Sequence, residues 1–300
     1  GGKMLGATAE VGERKDRRFA SPEWSENPVF QTIKDSYLAI SDRLLGSVEE
    51  MEGIDGETRQ KLRFATKSFV DAMAPSNFAL TNPEVMKRTI ESKGENLVSG
   101  LHNMLEDIRH GQLTQTKKGA FEVGRNLATT PGKVVFENDL YQLIQYAPTT
   151  DKVLETPVVI FPPWINRFYI LDLTPEKSFV RWCVDNGISL FMVSWKSADE
   201  SLAHVRLDDY VLNGQIDAMD TIRDLLGVEA VHAIGYCVAG TTLAATLGYL
   251  HAQKQAEKVK TATFLTAQVD FSLAGDLKLF TGDETMALLD ELTRDKGFLD

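Results

Sequence analysis

The feature that most constrains the fold is the stretch Gly235-Tyr236-Cys237-Val238-Ala239-Gly240, which stands between a short apolar run and a helix-forming run. The run before it, Val231-His232-Ala233-Ile234, is short and rich in β-branched and small apolar residues, as a buried parallel strand requires. The run after it, 241–253, has the length and apolar content of a helix. A cysteine at such a strand-to-helix turn is forced into strained backbone angles. The glycines on either side of it, Gly235 and Gly240, keep strand and helix from colliding. The helix N-terminus favours negative charge and so assists a thiolate at Cys237. The Val238 amide points at an oxyanion forming on an acyl carbon attacked by that sulfur.

The arrangement resembles the G-x-nucleophile-x-G elbow of α/β-hydrolases, with cysteine where esterases carry serine and with Gly235 and Gly240 as the elbow glycines. From Val158 onward the chain alternates strand and helix. Strands are expected over 158–161, 189–193, 231–234 and 261–265, and helices over 177–186, 208–226 and 241–253, which is the order of a doubly wound, mostly parallel sheet. Active sites of such sheets gather at the carboxyl ends of the strands, which selects the loops 162–174, 194–207, 235–240 and 266 onward. The first opens Pro162-Pro163-Trp164-Ile165-Asn166 and has the place of the loop that supplies the second oxyanion amide. Its prolines stiffen the backbone, and the donor is expected at Trp164 or Ile165. Trp164, Phe168, Tyr169 and Trp195 are candidate walls of an acyl or pantetheine channel.

Residues 1–20 are polar and are expected to form a mobile tail, and 21–118 a mainly helical N-terminal domain. Phe30, Ile33, Tyr37, Ile40 and Leu44 mark one amphipathic helix, and Leu62, Ala65 and Phe69 a second. A third starts at Thr81-Asn82-Pro83-Glu84, with a cap and a proline in the first turn, and runs towards Arg109. The α/β domain is expected over 119–300, entered by antiparallel edge strands at 121–123, 134–136 and 141–146. The chain begins Gly-Gly without an initiator Met and stops at Asp300, so the expected sheet is incomplete at its C-terminal end.

Composition excludes several classes of function. At 43% hydrophobic and 25% charged residues the chain is globular, and no apolar run approaches the roughly 18–20 residues of a membrane span. The first twenty residues lack the apolar core of a secretory signal, so a cytoplasmic location is expected. Two cysteines, Cys183 and Cys237, make neither a disulfide framework nor a zinc site, and no metal or other cofactor is expected. A net charge of −11 argues against a nucleic-acid partner, and the basic run Arg14-Lys15-Asp16-Arg17-Arg18 reads as a solvated tail.

Several stretches together resemble polyhydroxyalkanoate synthases. They are 16–24 (DRRFASPEW), 77–83 (NFALTNP), 121–132 (FEVGRNLATTPG), 162–173 (PPWINRFYILDL), Val193-Ser194-Trp195-Lys196, and 235–241 around Cys237. The resemblance is nearest to the single-subunit enzymes that favour short-chain monomers. It implies a cytoplasmic, granule-associated acyltransferase, commonly a homodimer, that polymerises (R)-3-hydroxyacyl-CoA into polyester and releases CoA. By motif, Cys237 carries the acyl group and the Val238 amide is an oxyanion donor. The CoA is part of the substrate. A thiolate suits this exchange, because the leaving CoA thiol has similar basicity and neither thioester is a deep trap.

The family places its catalytic Asp and His well downstream of the nucleophile, whereas here 63 residues follow Cys237. His251 lies fourteen residues along the following helix, about 20 Å from its start. His232 is five residues back on the strand, about 16 Å below the elbow. His204 precedes Cys237, against the order of the fold. His102 and His110 belong to the helical layer, and Asp270, Asp276 and Asp283 read as solvated loop carboxylates. No acid or base is therefore assigned in these residues, and the piece alone is expected to be inactive. Cys183 is expected to pack in the core or at an interface. Two readings of other classes stand beside the synthase: an α/β-hydrolase thioesterase or esterase with a cysteine nucleophile, and a non-catalytic interaction module.

Overall fold

The computed structural model describes residues 16–117 and 119–294, and the chain divides between Gln115 and Thr116 into two compact units. The expected tail lies outside the described residues up to Lys15. Its last residues are tied down: Arg18 bonds the Asp16 carboxylate, the Tyr37 hydroxyl and the Asp71 carboxylate. Charge-assisted bonds from one planar guanidinium to three acceptors fix the position of this segment on the helices.

The first unit is helical: α1 (Glu23–Glu26), α2 (Pro28–Glu49), α3 (Gly56–Ala72), α4 (Pro83–Glu91) and α5 (Glu95–His110). Side-chain caps start three of them. Asn27 accepts from Val29 N–H, Asp55 from Thr58 N–H, and Asn82 from Glu84 and Val85 N–H. The single helix expected from 81 to 109 is two. Lys93 and Gly94 take positive φ of 52° and 90°, and Gly94 N–H folds back on Thr89 O at 2.8 Å, which closes α4 before α5 begins. Trp24, Val48, Val70 and Ala74 are this unit's buried apolar residues among the described ones.

The second unit carries a six-stranded sheet: β1 (Gly132–Glu137), β2 (Tyr141–Tyr146), β3 (Val158–Phe161), β6 (Leu190–Trp195), β7 (Val231–Tyr236) and β8 (Val259–Leu265), with a separate short hairpin of β4 (Asp172–Thr174) and β5 (Lys177–Ser178). The order is β1-β2-β6-β3-β7-β8. β1 and β2 are antiparallel and the remaining four strands parallel. No strand forms at 121–123. Glu122 O instead accepts the N–H groups of Arg125, Asn126 and Leu127, and Asn126 Nδ2 closes the loop on Ala120 O. Turn chemistry there outcompetes β propensity.

Helices α6 (Phe179–Asp185), α7 (Leu207–Asp209), α8 (Asp217–Leu226), α9 (Val238–Ala252) and α10 (Asp283–Thr293) complete the unit. The expected helix 177–186 starts later because Lys177 and Ser178 pair with β4, and Ser178 Oγ then caps α6. The expected helix 208–226 contains a π-helical segment, Tyr210–Ile216, between α7 and α8. Strand alternation fixes the layers. Val159, Phe161, Phe191 and Val193 face α8 and α9, whereas Ile160, Leu190 and Met192 face Val180, Cys183 and Val184 of α6. The result is a doubly wound, mostly parallel sheet of the α/β-hydrolase class, and Cys183 is core packing, at 1% exposure. Among the described residues no helix is long and apolar enough to cross a membrane.

Candidate active site

The order β6-β3-β7 puts a topological switch at β3, because the chain leaves β3 for one side of the sheet and later returns on the other. β3 and β7 run parallel with Phe161 opposite Gly235. The loop after β3 and the turn after β7 therefore leave the sheet side by side.

Cys237 sits at that turn with φ 55° and ψ −126° and is partly exposed. A non-glycine residue there is strained, by an amount of order 1–3 kcal/mol, and holds only because its surroundings over-determine it. Its own N–H is committed to Leu265 O at 2.8 Å, and its carbonyl accepts from Gly240 and Thr241 N–H at 2.9 and 3.2 Å. The helix begins at once, at Val238, three residues earlier than the apolar run 241–253 implies. As the first residue of α9, Val238 has no carbonyl one turn back to receive its amide.

The two glycines are a single contact. A Cβ on Gly235 meets Gly240 Cα at 2.6 Å, and a Cβ on Gly240 meets Gly235 O at 2.8 Å and Ala267 Cβ at 2.5 Å. Strand and helix backbones touch here, so the absence of side chains sets the turn's tightness. The position two after the cysteine holds Ala239, whose methyl is fully buried. Behind the elbow, Thr266 adopts φ 47°, and Thr241 Oγ donates to Gln268 O at 2.6 Å, which pins the loop after β8 to the start of α9.

In the loop after β3, Asn166 N–H bonds Pro163 O at 3.0 Å, so Trp164 and Ile165 are the central residues of a turn whose closing bond uses neither amide. Ile165 is 70% exposed. Trp164 stacks on Tyr210 with ring centroids 5.0 Å apart, and its Nε1 reaches Thr242 Oγ1 at 3.4 Å. Trp195, a candidate channel wall, is instead buried. Its Nε1 donates to Pro162 O at 2.7 Å, which makes it a strut of the loop. Phe168 and Tyr169 meet edge to face at 5.3 Å.

The histidines of this unit lie away from the elbow. His232 Nδ1 pairs with Thr261 Oγ1 at 2.6 Å, and His251 lies near the far end of α9. His204 lines a cavity of about 540 Å³ with Asn138, Asp139, Lys196, Asp209 and Asp217, and no residue of the elbow lines it. Asp270 is turned onto its own loop, and hydrogen bonds from Ser272 N–H and hydroxyl hold its carboxyl below the usual range. Among the described residues no group of three or more His, Cys, Asp or Glu could hold a metal ion.

Sequence reasoning missed Gln215. Its side chain is fully buried, donates Nε2–H to Ala239 O at 2.9 Å and accepts from Thr246 Oγ1 at 2.8 Å. The signal was present: Val211, Gln215, Ala218, Met219 and Ile222 share one helical face, and Gln215 is its one strongly polar member.

Residues 15–183, more than half of the chain, match the model of the family described as poly-beta-hydroxybutyrate polymerase (PhaC) N-terminus. The chain is 46% identical over 295 residues to the poly(3-hydroxyalkanoate) polymerase subunit PhaC of Rhizobium etli, covering 97% of this chain and 46% of that protein. It is 45% identical over 289 residues to the poly(3-hydroxyalkanoate) polymerase of Methylorubrum extorquens, covering 95% and 48%. The chain thus spans about half the length of the curated relatives it matches. Among solved structures, an esterase of Rhizomucor miehei is similar at 19% identity and a TM-score of 0.36, over 53% of each chain.

Proposed function

The chain belongs to the poly-beta-hydroxybutyrate polymerase family, and from that premise we propose that it bears the nucleophile of an acyltransferase that builds polyester from (R)-3-hydroxyacyl-CoA. The observation that carries the reading is Cys237, held at positive φ between β7 and α9 with its own amide committed to Leu265 O. The relatives are poly(3-hydroxyalkanoate) polymerases, which suggests the substrate class, and 3-hydroxybutyryl-CoA is the monomer proposed.

In this reading the Cys237 thiolate attacks the thioester carbonyl. The carbonyl electrons move to oxygen, where the Val238 amide and that of Trp164 or Ile165 receive them. When they return, the C–S bond to CoA breaks, CoA leaves as its thiolate and takes a proton from solvent, and Cys237 holds the acyl group. The 3-hydroxyl of a second thioester then attacks the acyl carbon. Its proton passes to a general base, an ester forms, and Cys237 is freed. That proton cannot leave unaided at neutral pH, and base assistance is typically worth about 10²–10⁴ in rate. In the unit that carries Cys237, His204, His232 and His251 all lie away from the elbow, so the base and the acid that orients it are assigned to none of these residues. Assembly as a homodimer in the cytoplasm at a granule surface is part of the same proposal and rests on the family likeness.

Incubating the full-length polypeptide with 3-hydroxybutyryl-CoA tests the reaction. Insoluble polymer with CoA release supports it, and free hydroxy acid supports the thioesterase instead. Cys237→Ala is expected to abolish both products without unfolding the chain, and Cys237→Ser to be severely impaired, because a hydroxyl needs far stronger base assistance than a thiol. Polymer from the alanine variant overturns the assignment.

A further inference from the structure

A fully buried glutamine on an otherwise apolar face is costly unless its amide is satisfied, and here both bonds run to one place. Gln215 Nε2 holds Ala239 O, in the first turn of α9 and two residues from the nucleophile. Its Oε1 accepts from Thr246, whose hydroxyl also lies 3.0 Å from Thr242 O. Thr242 Oγ1 in turn lies 3.0 Å from Val238 O and receives Trp164 Nε1. The amide thus terminates a chain of polar contacts that begins in the loop after β3.

Gln215 belongs to the π-helical segment Tyr210–Ile216, and the other residues of that segment reach the same loop. Tyr210 stacks on Trp164 and meets Trp195 edge to face at 5.4 Å. A Cβ on Gly214 lies 2.9 Å from the Trp195 ring, so the segment abuts the strut that carries Pro162 O. The wider π turn, frequent at functional sites, lets one short segment face the loop with Tyr210 and Gly214 and the elbow helix with Gln215.

We propose that Gln215 is a positioning residue for acyl transfer, fixing the first turn of α9, and with it Cys237 and the Val238 amide, against the loop that holds Trp164 and Ile165. This rests on the reading of Cys237 as acyl carrier. Both oxyanion amides must converge on one atom, and a displacement near 1 Å costs on the order of 10² in rate. Gln215 would act on turnover without touching substrate.

The test uses the full-length polypeptide with 3-hydroxybutyryl-CoA, with rates normalised to the Cys237 thiol titrated by iodoacetamide. Gln215→Met keeps the length and removes both bonds. It is expected to lower kcat per reactive thiol about tenfold or more with KM nearly unchanged. Gln215→Glu can restore both bonds when its carboxyl is neutral, the O–H donating to Ala239 O and the carbonyl accepting from Thr246, but sets a charge against Ala239 O when ionised. Its kcat relative to the parent is therefore expected to be near one in acid and to fall as pH rises through the burial-raised carboxyl pKa. An unchanged kcat in a folded Gln215→Met chain, or a flat ratio across pH for Gln215→Glu, overturns the proposal. If the methionine variant does not fold, the pH profile of the glutamate variant decides. Cys237→Ala separates the two readings. An inactive alanine variant beside a fully active Gln215→Met chain removes the positioning role alone, and an active alanine variant removes both.

Discussion

Adding one methyl group at Gly235 tests whether the backbone contact under the nucleophile sets the rate. The new Cβ lies 2.6 Å from Gly240 Cα, 3.0 Å from Gly240 N and 3.1 Å from Ala239 O, all backbone atoms that no rotamer change can move aside. Non-bonded carbons rest about 3.5–4.0 Å apart, so β7 and the start of α9 must separate by about 1 Å. Overpacking of this kind costs about 1–3 kcal/mol of stability, and a shift of that size at the reacting centre costs on the order of 10² in turnover. Gly248→Ala is the control. It lies on the same helix, a Cβ there meets nothing within 4 Å, and relief of glycine's entropy gives about 0.5–1 kcal/mol in its favour. CoA release per titratable Cys237 and thermal melting of the full-length polypeptide are measured for both variants. Gly235→Ala is expected to lose about a hundredfold in turnover with a lowered melting temperature, and Gly248→Ala neither. Parent-like turnover in Gly235→Ala would refute the argument, since no side-chain motion can accommodate that methyl.

Cys183 is 1% exposed and burial pushes its thiol up to about 11, so native chain at neutral pH is expected to take one iodoacetamide, at Cys237, and denatured chain two. Peptide mass spectrometry decides, and fast native labelling of Cys183 contradicts the packing described. Trp164→Phe keeps the stack on Tyr210 and loses only the long 3.4 Å bond to Thr242, so turnover should fall a few-fold; Trp164→Ala, which loses the stack as well, should fall more than tenfold. Equal rates in the two variants would show that the ring does not hold the loop. In the helical unit, the Arg18 bond first and foremost holds Asp16 below the usual carboxylate range, and the Lys67 ammonium holds Asp71 there, with Arg18 adding to it. Lowered folded-state values mean that both stabilise above about pH 4 and lose that contribution as pH falls through them. Arg18→Gln should therefore flatten the acid limb of the melting temperature, and an unchanged limb argues against the ion pairs.

What the sequence determined is local. Gly235, Cys237 and Gly240, between a β-branched run and a helix-forming run, specify a tight strand-to-helix turn because only missing side chains allow the two backbones to meet, and the regular spacing of apolar runs specifies a sheet covered on both faces. Pro83 and Asn82 specify a helix start for the same kind of reason, since cap and first turn are neighbours in the chain. Where a competing interaction was also local but subtler, the reading erred. Gly94 broke an expected helix by taking positive φ, and Asn126 folded 121–126 into a turn. The sequence also selected the loops expected at one edge of the sheet, but only the tertiary structure decided their register, because β6 and β7 settle on opposite sides of β3 and set Phe161 beside Gly235. It also decided that Trp195 is a strut and that Gln215 is buried, since each is defined by partners 33 and 24 residues away. Hydrophobic period carries the face of a helix but not the identity of what that face meets. A polar residue on an apolar stripe therefore marks a partner in the sequence, and only packing says which one.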